Sequence, residues 1–310
     1  MIQRTLFGKS KREIILDFLN PYLPILEKLK EPHEFSKEEI RTLLKKEKKK
    51  ALLKRNEKMY RKEDCEITAE ELMNGKIKVD KILSNQYFLE EYNRTSMNRA
   101  NAYPGQKPYL ITCNNKKIGL LTLSVPLFSI RQRNETGIDL SEHSGYNIQI
   151  CVSYPWAAPF LTGKLLASIG CAMSYEERMD FVETTSLYGK SIQYDRLPFL
   201  RYKGLTNGIG RITNIFPPEL FKEGLDLLKR LNLISENTAK SHSNRSKNVL
   251  RLLMKHAELE GDVNNGRVRR GYYLCLINKS LKGYKQKWEP PHSIEEAIEY
   301  WRKRWLVKRL

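Results

Sequence analysis

Residues 146–154, YNIQICVSY, place Ile148, Ile150 and Val152 at every second position, the period of a strand with one apolar face. Pro155 ends that run. Pro159 then precedes residues 160–173, FLTGKLLASIGCAM, whose small and apolar side chains suit a helix buried on most of its surface. A strand that feeds directly into a buried helix cannot complete a core alone. It needs strands beside it and more helix over the sheet, so this segment commits the chain to a mixed α/β architecture.

The neighbouring sequence extends the sheet. Residues 109–113 and 118–124 are β-rich runs joined by Asn114-Asn115-Lys116-Lys117, a hairpin signal. Strands are expected again at 125–133 and 136–140. After the buried helix come a helical turn at 175–178, a strand at 180–187, a helix over 188–203, a turn at 204–210 and a last strand at 211–216, closed by Pro217-Pro218. Residues 87–106 read as a linker. Ser36-x-x-Glu39, Thr68-x-x-Glu71 and Ser293-x-x-Glu296 have the spacing of capping boxes, and 219–233 is amphipathic. The expected fold is α/β, an α+β mixed sheet at 101–216. A basic helical region at 1–100 and a basic helical and strand region at 217–310 flank it.

Charge narrows the partners. The chain carries 55 Lys and Arg against 36 Asp and Glu, a net of +19 over 310 residues. Residues 101–216 hold 12 basic and 8 acidic residues, so +15 of the excess lies in the flanks. A field of that sign attracts polyanions. No apolar stretch is long enough to span a membrane, and Arg4, Lys9, Lys11 and Arg12 precede any apolar run, against a secretory segment. Five scattered cysteines without a CxxC pair point to free thiols in the cytoplasm. The basic runs single out Lys45, Lys46, Lys49 and Lys50, then Arg267, Arg269, Arg270 and Arg304, as nucleic-acid-binding candidates. Tail aromatics interleave with these cations, from Tyr272 and Tyr273 through Tyr284 and Trp288 to Trp301 and Trp305. Such interleaving suits either base stacking or core packing.

The densest polar string runs from Glu183 through Thr184, Thr185 and Ser186 to Tyr188, Lys190, Ser191, Gln193, Tyr194 and Arg196, and on to Arg211. Hydroxyls, an amide and cations at a strand end can read a base or sugar edge. Glu183, Tyr194, Gln193 and Ser186 are the catalytic candidates, with Glu183 or Tyr194 as general acid or base. Ser153, Tyr154, Gly163, Lys164, Tyr188, Lys190, Ser191, Arg196 and Arg211 are the substrate and phosphate candidates. The structural alternative pairs Glu183 with Arg196 or Arg211 and packs the tyrosines. No HxH, HExxH or GxSxG spacing occurs, and no metal site is assigned.

At this string the chain resembles the DruA-like proteins of the Druantia anti-phage system and of mobile elements. There a strand ends in Glu-Thr-Ser/Thr, and a Tyr/Gly-rich corner and a Gly-x-Thr-x-Gly-x-Gly turn follow. Here that turn is Gly204-Leu-Thr206-Asn-Gly208-Ile-Gly210. Gly163-Lys164-Leu165-Leu166, opening a helix after a strand, is similar to the acyl-CoA segment of GNAT acetyltransferases, and the element order resembles the Mom-like members. Ala158, Leu161 and Leu200 stand where that pattern has Arg or Gln, Gly and an acid Tyr. The resemblances imply a GNAT-like core, a phage-defence setting and acyl-CoA as the cofactor to consider; the residues alone leave the cofactor unknown. Three functions remain open. One is a nucleic-acid-binding protein that modifies a nucleotide. The second is a non-catalytic DNA- or RNA-binding subunit among other defence subunits, with no membrane role. The third is an acyl-CoA-dependent N-acetyltransferase.

Overall fold

The computed structural model describes residues 8–47, 66–95, 105–187, 189–242, 246–281 and 287–310. The protein is mixed α/β. Its strands are β1 (His33–Glu34), β2 (Ile77–Lys81), β3 (Lys107–Cys113), β4 (Lys116–Ser124), β5 (Gly145–Ser153), β6 (Phe181–Ser186), β7 (Arg201–Arg211) and β8 (Gly266–Leu276). Its main helices are α1 (Lys11–Leu19), α2 (Ala69–Asn74), α3 (Asn85–Thr95), α4 (Thr162–Glu176), α5 (Pro218–Arg230), α6 (Ser246–His256) and α7 (Ile294–Trp301). They form two compact units, one within Met1–Arg55 and Ile209–Val268, the other within Asn56–Ser96, Ala100–Gly208 and Arg269–Leu310. Each unit combines segments distant in sequence, where the sequence reads as three consecutive stretches.

In the first unit, α1 opens on a capping box between Ser10 and Glu13. Residues 37–47 are helical, and Ser36 and Glu39 exchange the same two bonds. α5 and α6 meet closely, because a Cβ at Gly224 would lie 2.7 Å from Leu253 Cδ1. β1 pairs in parallel with Gly266 and Arg267 of β8.

The second unit holds the expected sheet. β2, β3, β4 and β5 pair antiparallel in sequence order. β5 then pairs in parallel with β6, and β6 antiparallel with β8. β7 also pairs with β8. The β3–β4 hairpin turns on Asn114 and Asn115, both at positive φ of 48° and 67°, as an Asn-Asn turn requires. α4 covers one face through Leu165, Leu166 and Ile169 against Leu121 and Ile148. Gly119 and Gly170 permit this approach: a Cβ at either would lie 2.6 or 2.7 Å from Leu166 or Ile148. α3 covers part of the opposite face with Phe88 and Tyr92 against Leu120 and Ile150. Beside it the 125–143 segment packs Ile130 and Ile138 on Phe181, Tyr272 and Leu274. With both faces covered, β4 is buried at every residue from Ile118 to Ser124 rather than at alternate ones.

Several expected elements differ. Residues 125–133 and 136–140 are not strands but a loop with one helical turn at Arg131–Asn134. Residues 189–200 form turns instead of a helix: Gly189 and Arg196 adopt positive φ of 73° and 66°, and Pro198 lacks the amide hydrogen a helix needs. The strand expected at 211–216 begins earlier, as β7, and 212–215 is a short 3₁₀ turn. The 87–106 linker contains most of α3.

Candidate functional site

The polar string lies in the second unit, where β5 and β6 separate. These parallel strands are in register only from Gly145–Phe181 to Ile148–Thr184; beyond that, β5 continues alongside β4 alone. A gap between diverging parallel strands at the start of a helix is a favoured ligand position in α/β folds. Here the chain fills it. Gln193 Nε2 donates to the Cys151 carbonyl at 2.6 Å, and its side chain covers Gly163, where a Cβ would be 2.9 Å from Gln193 Cγ. Tyr194 is buried beside it. The Thr184 hydroxyl donates to the Ile148 carbonyl at 2.7 Å and lies 3.4 Å from the Tyr194 oxygen. Burial drives the Tyr194 phenol well above its ordinary pKa, so it holds its proton and is a poor acid or base near neutrality. Burial likewise pushes the Cys151 thiol up to about 12.

Lys164 closes the other side of the gap. Its Nζ donates to the Ile192 carbonyl at 2.6 Å and to the Asp195 carbonyl, and stands 4.5 Å from the centre of the Trp305 ring. Burial lowers its pKa to about 8; Asp195 opposes that shift, and Arg196 and Arg304 add to it. Tyr273 ties the corner together, accepting from Ser191 N at 2.7 Å and donating to Asp195 Oδ1 at 3.1 Å. The Ser186 hydroxyl bonds the Gly189 carbonyl.

Glu183 faces the opposite side of the sheet. Its carboxylate is fully buried and accepts from Arg133 at 3.1 Å on both oxygens, from Tyr272 at 2.7 Å and from the Leu127 amide at 2.6 Å. The structural pairing expected for Glu183 therefore exists, but its partner is Arg133 rather than Arg196 or Arg211. A carboxylate enclosed by four such bonds presents no lone pair to a substrate. Tyr154 is sealed as well, bonding the buried Glu91, which pairs with Lys117 at 2.9 Å. Ser153 is half-buried at the end of β5.

The structure thus brings Gly163, Lys164, Ser191, Gln193, Tyr194 and Asp195 together and puts Glu183 and Tyr154 elsewhere. Lys190 lies over the Tyr202 ring, Arg196 is exposed, and Arg304 lies over Tyr300 and Trp305. Arg267 and Arg269 are exposed on either side of the buried Val268, and Arg270 is half-buried. Lys45 and Lys46 are exposed on their helix. Tyr188, Lys49, Lys50 and Tyr284 lie outside the described residues, as does the side chain of Arg211. Of the tail aromatics, Tyr272, Tyr273, Trp301 and Trp305 are core and Trp288 is exposed.

Sequence reasoning missed Arg133, Glu91, Tyr272 and Tyr273 as members of these networks. None of them gave a local signal: Arg133 stands in the polar run Arg131-Gln132-Arg133-Asn134-Glu135, where nothing marks it as buried. Among the described residues, no three His, Cys, Asp or Glu converge as a metal site. The gap also does not fit acyl-CoA, because Gln193 takes the β5 carbonyl and covers the first turn of α4. No described helix is long and apolar enough to cross a membrane. Comparison with protein-family models, curated proteins and solved structures finds no match.

Proposed function

We propose that this chain is a cytoplasmic nucleic-acid-binding protein, acting as the binding subunit of a phage-defence or mobile-element system. The observation that carries this reading is the opposite fate of its charges. Glu91 and Glu183 are sealed in ion pairs, while Lys45, Lys46, Arg196, Arg267, Arg269 and Arg304 are exposed on a chain of net +19. Exposed cations, with Glu91 and Glu183 closed to a substrate, suit phosphate binding better than bond-making. The likeness of residues 183–211 to DruA-like proteins supports the defence setting and further subunits as partners.

Titration of DNA and of RNA against salt tests this. Binding is expected to weaken with a log–log slope of about −0.9 per phosphate neutralised on duplex DNA and about −0.7 on a single strand. Affinity that is absent, or indifferent to salt, rejects the reading. A second reading, group transfer to a nucleotide in a GNAT-like pocket, is favoured only by the divergence of β5 and β6. It requires Gln193 and Tyr194 to leave the gap. A new nucleoside mass in nucleic acid from expressing cells, lost on Gln193→Ala, would support it.

A further inference from the structure

A cleft of about 440 Å³ opens in the second unit where α4 ends, lined also by the link to β6, the end of β8 and the chain before α7. That size lies in the range of sites for small molecules. One wall is flat: the rings of Tyr175 and His292 stack at 4.2 Å with 15° between their planes. His292 is held from its other sides. Its amide donates to Glu296 Oε2 at 2.8 Å, and its Nε2 lies 3.1 Å from Glu289 Oε2. Met179 and Ile277 add apolar surface. Most polar groups of the lining are already used. Asp180 accepts from Asn278 Nδ2 at 2.7 Å and from the Ser144 amide at 2.9 Å.

Two charges of the lining are not used. Glu176 Oε1 accepts the Ile294 amide at 3.2 Å, and its other oxygen is unclaimed. The Arg178 guanidinium bonds no group among the described residues, Glu176 included, although both line the cleft. Arg178 stands where the chain leaves α4, at a φ of 57°. Its amide donates to the Tyr175 carbonyl and the next amide to the Ser174 carbonyl, both at 2.9 Å. Glycine is the usual residue in such a cap, and a side chain there is strained. The guanidinium gains no partner within the protein in return, so a strained cation is held at the cleft for a group from outside. Charge selects that group. Glu176 and Asp180 outnumber Arg178 in the lining, and the end of α4 adds the negative pole of its dipole. A multiply charged anion is opposed there, and a simple cation would face the guanidinium. A zwitterion satisfies both charges: its carboxylate meets the fork of Arg178, and its ammonium meets the open oxygen of Glu176. The flat wall and the apolar surface suit a ring on the same molecule.

We propose that this cleft binds a free α-amino acid with an aromatic side chain, with Arg178 holding its carboxylate and Glu176 its ammonium. The proposal does not rest on the nucleic-acid reading above, and it uses no residue of the β5–β6 gap.

The test is calorimetry and saturation-transfer NMR on the full chain with L-tryptophan, L-phenylalanine, tryptamine, N-acetyl-L-tryptophan and guanosine monophosphate. L-Tryptophan or L-phenylalanine is expected to bind saturably. Tryptamine lacks the carboxylate and N-acetyl-L-tryptophan the ammonium. Each should bind about 10- to 150-fold more weakly than L-tryptophan, the effect of losing one charged contact. Arg178→Gly should weaken L-tryptophan by the same factor and leave tryptamine unchanged. Because glycine suits the positive φ, this variant should keep or raise the melting temperature, so a folding defect does not imitate the loss. Glu176→Gln should weaken L-tryptophan and leave N-acetyl-L-tryptophan unchanged. No saturable binding of either amino acid overturns the proposal, and so does L-tryptophan binding that survives Arg178→Gly. Guanosine monophosphate that binds more tightly than L-tryptophan, and is lost in Arg178→Gly, also overturns it and would assign the cleft to a nucleotide.

Discussion

Arg133 and Glu183 are worth most to the fold as a pair. Two buried charges gain from each other only while both remain, so removing one leaves an ion in an apolar setting. Arg133→Met is expected to destabilise by about 3–5 kcal/mol, read from chemical denaturation, and Arg133→Met with Glu183→Leu should recover much of that loss. Equal stability of the single and double variants would show that the pair contributes nothing. Lys164 makes a second prediction. Its folded pKa is lowered to about 8 by burial, against about 10.4 for an unfolded lysine. Between these values the unfolded chain holds the proton and the folded chain does not, so stability rises with pH across that window. The slope approaches about 1.4 kcal/mol per pH unit. Below pH 8 the cost of the buried charge is constant. Urea midpoints from pH 7.5 to 10.5 should climb for wild type relative to Lys164→Met; parallel curves would refute the assignment. Neither residue's state is legible in the sequence. Composition names a charge but not its partner, and Arg133 and Glu183 meet across fifty residues of chain.

At the scale of elements, what was legible depended on how locally each element is determined. The β3–β4 hairpin, β5, α4 and β6 carry their own signals: Asn at the turn, apolar alternation, and small residues along a buried helix. The capping-box spacings likewise need only residues three apart: Ser36 and Thr68 exchange both bonds with their Glu, and Ser293 accepts from the Glu296 amide while the Glu296 carboxylate takes the His292 amide. Residues 189–200 failed as a helix because their backbone bonds to distant groups. Ser191 N binds Tyr273, and the Ile192 and Asp195 carbonyls bind Lys164. No local pattern encodes those partners. β7 is set by pairing with β8, which tolerates its glycines. The close seat of α4 gives a test at this scale. A methyl at Gly170 would press on Ile148 Cδ1 at 2.7 Å, with Leu121 at 3.5 Å behind. Gly170→Ala should cost about 1–3 kcal/mol despite alanine's better helix propensity. A stabilised variant would mean that α4 shifts freely on the sheet.

Charge is the property of the whole molecule that the sequence states outright, since net charge needs no fold. What it cannot state is which cations face solvent. Lys164 and Arg133 are buried and hydrogen-bonded within the protein, and so drop out of any binding surface, although Lys164 was among the phosphate candidates. Arg267 and Arg269 remain outward because β8 alternates, with Val268 turned into the core between them. On the nucleic-acid reading proposed above, each of these arginines is expected to meet its own phosphate. Arg269→Ala should weaken binding to every sequence tested by a similar factor and reduce the salt slope by about one unit. Arg267→Ala should do the same, and the double variant should lower the slope by about two, because separate phosphate contacts release separate counterions. Fluorescence anisotropy on unrelated oligonucleotides over a range of salt measures both quantities. A loss restricted to one sequence would assign these arginines to base edges instead, and an unchanged slope would remove β8 from the binding surface while leaving the exposed cations of the other elements to account for the affinity.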